Sequence, residues 1–137
     1  MSNRTEFEHV TVQAFVERFQ ASSPIFSGVL SEVRELSKKK PEATMSAGKV
    51  RIVNRILEDL LVILKDEPAG KYLELLDDEA LPQMSDAVLT MVQFESALRA
   101  FSARYLKRVD GEPHWITQEL LESWNGNEDE ENEEDEK

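Results

Sequence analysis

Six residues between positions 87 and 105, Ala87, Met91, Phe94, Leu98, Phe101 and Tyr105, recur at intervals of 4, 3, 4, 3 and 4. A helix turns once in about 3.6 residues, so this spacing lines all six side chains along one side of a helix. In a strand the same residues would scatter to both faces of a sheet. A stripe nearly three heptads long packs along a neighbouring helix at a shallow crossing angle. A chain that carries it is expected to bury helix against helix.

Other segments repeat the pattern. Val53, Ile56, Leu57, Leu60, Ile63 and Leu64 form a second stripe behind Ser46, a residue suited to capping a helix start. Ile52, Leu61 and Val62 widen that stripe, so its helix is expected to be buried on most sides. Near the beginning, Thr5 and Glu8 fit a capping box, and Val12, Phe15, Val16 and Phe19 follow at helical spacing. This predicts a first helix over 6–21, opposed only by the β-prone Val10-Thr11-Val12. Ser23-Pro24 reads as the start of another helix, with Phe26, Val29, Leu30, Val33 and Leu36 on one side. That helix is expected to close at Lys38, Lys39 and Lys40 before Pro41, where cations suit the negative helix end.

Glu67-Pro68 predicts a short helix carrying Tyr72, Leu75 and Leu76. Ser85 is the expected cap of the helix that holds the heptad stripe, and Asp110-Gly111 its expected stop. Thr117 caps a last short helix, with Ile116 and Leu121 placed for a hydrophobic staple and Trp115, Leu120 and Trp124 closing one end. No segment shows sustained alternation, and no hairpin turn is read between apolar runs. The expected fold class is all-α, an irregular bundle of about five to six helices, three long and two or three short. The bundle is expected to occupy residues 1–125.

Charge separates the remainder. Of the 28 acidic residues, eight stand at 128–136, where no apolar side chain remains to offset the entropy of ordering. Residues 126–137 are therefore expected to form a disordered acidic tail. The preceding 125 residues hold 20 acids and 15 bases, only mildly acidic. With no cysteine, disulfides and thiolate chemistry are excluded. No apolar run approaches a bilayer span and the first residues lack the apolar stretch of a secretory signal, so the expectation is a cytoplasmic protein without membrane association.

Chemistry-bearing patterns are sparse. His9 and His114, the only histidines, stand apart and read as surface or capping residues. The five glycines are scattered singly, without a phosphate-binding loop. Glu58-Asp59 and Glu74-Leu75-Leu76-Asp77 carry only a fragment of the carboxylate spacing that all-α, Mg²⁺-dependent hydrolases use. The simpler reading pairs Glu58 and Asp59 with Arg55 along one helix. No catalytic residue, metal ligand or cofactor is assigned.

Two functional expectations remain. The first is a non-catalytic protein-interaction module, adaptor-like or chaperone-like, that binds a protein partner or a second copy through apolar helix faces. Met91, Phe94, Leu98 and Phe101 are its candidate residues, in the core or at the interface. The alternative is nucleic-acid binding through two basic segments, 38–55 and 99–108, with the acidic tail competing for them. Its candidates are Lys38, Lys39, Lys40, Arg51, Arg55, Arg104 and Arg108. It is the less favoured, because Lys38 to Lys40 and Lys107-Arg108 also serve helix ends and no exposed aromatics accompany them. A Mg²⁺-dependent hydrolase ranks third and requires Glu58, Asp59, Glu74 and Asp77 to converge.

Overall fold

The structure, a computed structural model, describes residues 7–135, with side chains described for residues 7–126. It is mostly helical, with four α-helices, one short 3₁₀ turn and a two-stranded sheet among the described residues. In order these are α1 (Gln13–Lys39), α2 (Ala47–Leu64), the turn Pro68–Gly70, α3 (Met84–Tyr105), β1 (Leu106–Val109), β2 (Glu112–Trp115) and α4 (Gln118–Asp135). The chain divides into two compact units, Glu17–Phe101 and the pair Met1–Val16 with Ser102–Lys137.

The first correction concerns number: four helices stand where five to six were expected. Ser23-Pro24 does not separate two helices but lies inside the 27-residue α1. A proline within a helix removes one hydrogen bond and costs about 3 kcal/mol. Gln20, which loses the partner, and Pro24 are both exposed, so water can satisfy the freed carbonyl. Burial of Phe26, Leu30 and Val33 beyond the proline, at about 2 kcal/mol each, outweighs the loss.

In the unit Glu17–Phe101, α2 follows its sequence signal closely. The Ser46 side chain accepts from the Lys49 amide at 3.2 Å and caps the helix. Val50, Val53, Leu57, Leu60 and Leu64 are buried at intervals of 3, 4, 3 and 4. The heptad residues of α3 within this unit, Ala87 through Phe101, are buried with them. The start of α3 is capped by backbone rather than by Ser85. Its Met84 and Ser85 amides donate to the carbonyls of Ala43 and Pro41 at 2.8 and 3.0 Å, in the link between α1 and α2.

The expected short helix after Pro68 is a three-residue turn instead, and Tyr72 beyond it is exposed. Gly70 explains the close fold-back: a Cβ there would overlap the Leu64 carbonyl oxygen. The chain then runs extended past α2. Asn54 holds it with both ends of its amide, donating to the Leu76 carbonyl at 2.8 Å and accepting from the Leu76 amide at 2.9 Å. A side chain that imitates strand pairing competes successfully with a weak helix.

The second unit corrects the beginning and end of the chain. Thr11 joins Thr117 in a parallel bridge, with the Thr11 amide donating to Ile116 at 3.0 Å and Gln118 donating to Thr11 at 2.9 Å. The β-prone Val10-Thr11-Val12 therefore wins over the helical spacing, and α1 begins only at Gln13. Thr5 lies outside the described residues. Asp110-Gly111 stops α3 indirectly, as the tight turn of a hairpin in which Leu106 pairs with Trp115 and Val109 with Glu112. Asp110 and Gly111 have φ of 53° and 85°, the conformations a right-twisted two-residue hairpin demands.

Thr117 caps α4 as expected, accepting from Leu120 at 3.0 Å. The helix does not end at Asn125-Gly126 but continues to Asp135, through most of the segment expected to be disordered. Extending a nucleated helix fixes one residue per added bond, and glutamate is a good helix former. Residues 136 and 137 lie outside the described residues.

Candidate partner-binding groove

The outward side of α2, in the unit Glu17–Phe101, departs from the expectation of burial on most sides. Ile52 is 56% exposed and Val62 40%. Across from them on α1, Ile25 is 59% exposed. These three and the half-buried Ile56 line a groove of about 550 Å³, completed by Ser22, Arg55, Glu58 and Asp59. The local cause is the heptad period itself. Positions 50, 53, 57, 60 and 64 take the core side of α2, which turns 52, 55, 56, 59 and 62 outward.

One end of the groove is tied by charge. Asp59 accepts from Arg18 and from the buried Ser22 hydroxyl, both on α1. An ion pair that is about 40% exposed on each side contributes under about 1 kcal/mol, so it positions the helices more than it stabilises them. The expected pairing of Asp59 with Arg55 is thus replaced by a cross-helix pair. Glu58 and Arg55 stay exposed, leaving a basic step and an acidic step one turn apart on the groove surface.

The residues named from the sequence fall as follows. Met91, Phe94, Leu98 and Phe101 are buried at 0, 0, 6 and 2% exposure, within the core of their unit. Arg51 and Arg55 share a smaller hollow with Asn54, Glu58 and Asp78. Lys38 is held by Glu35 at 2.9 Å, and Lys39 and Lys40 are exposed at the end of α1. Arg104 and Arg108 belong to the other unit. There Arg104 meets His9 Nδ1 at 3.0 Å, and Arg108 donates to the Gly111 carbonyl at 2.8 Å.

Of the four acids needed for a Mg²⁺ site, Asp59 is engaged by Arg18. Asp77 accepts from the amides of Ala80 and Glu79, which hold its carboxyl below the ordinary value of 3.8. Among the described residues no group of three or more histidines and carboxylates is placed to hold a metal ion. His114 packs edge-on against Trp124 at 5.6 Å, with Phe7 on the same indole at 6.5 Å. No described helix is long and apolar enough to cross a membrane.

Sequence reasoning missed Ile25 and misassigned Ile52 and Val62. The signal was present in part. A helix with apolar residues on two opposite sides needs two neighbours, and only packing decides which side is left uncovered. The chain matches no family model, no curated protein and no solved structure.

Proposed function

We propose that this protein is a non-catalytic helical interaction module that receives an amphipathic helix of a protein partner in the groove between α1 and α2. The observation that carries this reading is the cluster of Ile25, Ile52, Ile56 and Val62 at a concave surface rimmed by Arg55 and Glu58. Exposed apolar side chains scattered singly need no explanation, but a contiguous set in a concavity with charged edges fits helix-in-groove recognition. Apolar anchors at helical spacing supply the binding energy, and the charged rim sets orientation.

Nucleic acid is the less favoured partner. Arg104 and Arg108 are engaged by His9 and by the Gly111 carbonyl, and Arg51 and Arg55 share their surface with Glu58 and Asp78. The proposed compartment is the cytoplasm, where a cysteine-free chain meets no oxidative requirement.

The test places a photo-crosslinking amino acid at Ile52 in cells and, as a control, at the exposed Glu32 on α1. The expected result is a discrete protein adduct from position 52 and none from 32. Adducts to nucleic acid alone, or no adduct at position 52, would overturn the reading.

A further inference from the structure

We infer that the occupant of the groove is a second copy of this chain, docked through an antiparallel pairing of its own α2. This rests on the proposed role of the groove and names its partner. The argument comes from the order of residues along the exposed side of α2. Its first half carries Arg51, Ile52 and Arg55, and its second half Glu58, Asp59 and Val62. Charge therefore changes sign once, near position 57, with an apolar residue in each half.

Such a surface is complementary to itself under a two-fold rotation. When two α2 helices run antiparallel with position 57 of each level with the other, Ile52 comes level with Val62 of the second copy. Arg55 then comes level with Asp59 of the second copy and within one residue of its Glu58. Both relations occur twice, as an isologous contact requires. Ile52, Arg55, Asp59 and Val62 are spaced 3, 4 and 3, the period of a helix–helix seam. A parallel arrangement would set Arg55 against Arg55 and lacks this match. Opposed helix dipoles favour the antiparallel sense further.

The apolar lining of the groove also suits this occupant. The approaching helix brings Ile52, Ile56 and Val62 toward Ile25 on α1, which no residue of α2 fully covers, as its 59% exposure shows. Asp59 holds Arg18 and Ser22 and keeps acceptor capacity, because a carboxylate accepts about four hydrogen bonds. Arg55 thus joins an existing polar cluster instead of burying a charge alone.

The experiment uses full-length protein in sedimentation equilibrium, with circular dichroism to establish that each variant keeps its helix content. The wild type is expected to associate to a dimer. Arg55→Glu and Glu58→Arg, both at exposed positions, are each expected to weaken dimerisation about tenfold by setting like charges against each other twice. Mixing the two variants makes both contacts between positions 55 and 58 opposite in charge and leaves one of the two contacts between 55 and 59 like-charged, so the mixture is expected to dimerise more tightly than Arg55→Glu alone. Tightening on mixing cannot come from effects within one chain, because each chain keeps its own like-charged pair. Ile52→Gln supplies an uncharged check and is expected to weaken the dimer more than either charge reversal.

A wild type that stays monomeric up to about 1 mM overturns the inference. So does a dimer indifferent to all three variants, or one that mixing fails to tighten. In either case an adduct from position 52 to a different protein leaves the groove as an interaction site with another occupant. A monomer that also gives no adduct removes both readings.

Discussion

The two compact units are held by different means. In Glu17–Phe101 the load falls on side-chain packing, with Phe26, Leu30, Leu57, Leu60, Met91 and Phe94 buried almost completely. The other unit buries Val16 and Ile116 and adds polar contacts between segments far apart in the sequence. Thr11 and Thr117 bridge through backbone, a two-residue turn closes a hairpin, and Arg104 meets His9. Both oxygens of Glu119 accept from the Gln13 amide at 3.1 Å and cap α1. Packing energy is non-directional and scales with area, whereas each polar contact contributes about 1 kcal/mol and depends on geometry. The first unit should therefore respond steeply to lost volume, and the second to changed backbone angles.

The largest contrast is expected from Phe94→Ala. Removing a fully buried ring should cost about 4 kcal/mol in urea-induced unfolding. A loss below about 1 kcal/mol would break the comparison from the packing side. Gly111→Ala, in the hairpin, should cost about 1 kcal/mol because Gly111 adopts a φ of 85°, and amide exchange should rise first in β1 and β2. A cost equal to that of Phe94→Ala would erase the distinction between the units.

The smallest effect sharpens the comparison within the packed unit itself. Asp77 has its carboxyl lowered from 3.8 by the Ala80 amide first and the Glu79 amide second. Its folded pKa is below the unfolded one, so its contribution is present above about pH 3.8 and fades as pH falls through the folded value. An NMR titration should show the Asp77 carboxyl and the Ala80 amide moving together below pH 3.8, and Asp77→Asn should abolish that joint step. Titration at or above the ordinary value contradicts the turn as described.

The same contrast explains what could be read in advance. The heptad stripe of α3 and the core side of α2 were legible because burial imposes a period on the sequence. Ser46 and Thr117 were legible as caps because short polar side chains at helix starts have one dominant use. Pro24 misled because its cost is modest beside the burial on either side of it. Asp110-Gly111 reads as a helix stop from the sequence, although that dipeptide with both residues at positive φ is a strong hairpin signal. The β-prone Val10-Thr11-Val12 gave no sign of its partner, since the bridge to Thr117 depends on residues more than 100 positions away. The groove was half legible. Ile52 and Val62 stood out as extra apolar residues, but which side of α2 stays open depends on where α1 and α3 lie.

The capping of α1 by Glu119 has a consequence for the order in which the chain can assemble. A ribosome releases residue 13 long before residue 119, so the first amide of α1 must wait for its acceptor through most of synthesis. The Thr11 amide waits equally for Ile116. Residues 17–101 can meanwhile acquire their packed interior as soon as they emerge, since domains fold as units during translation. The nascent polypeptide is thus expected to mature from the middle outward, and chains stalled before residue 116 should leave the Thr11 amide open to rapid hydrogen exchange.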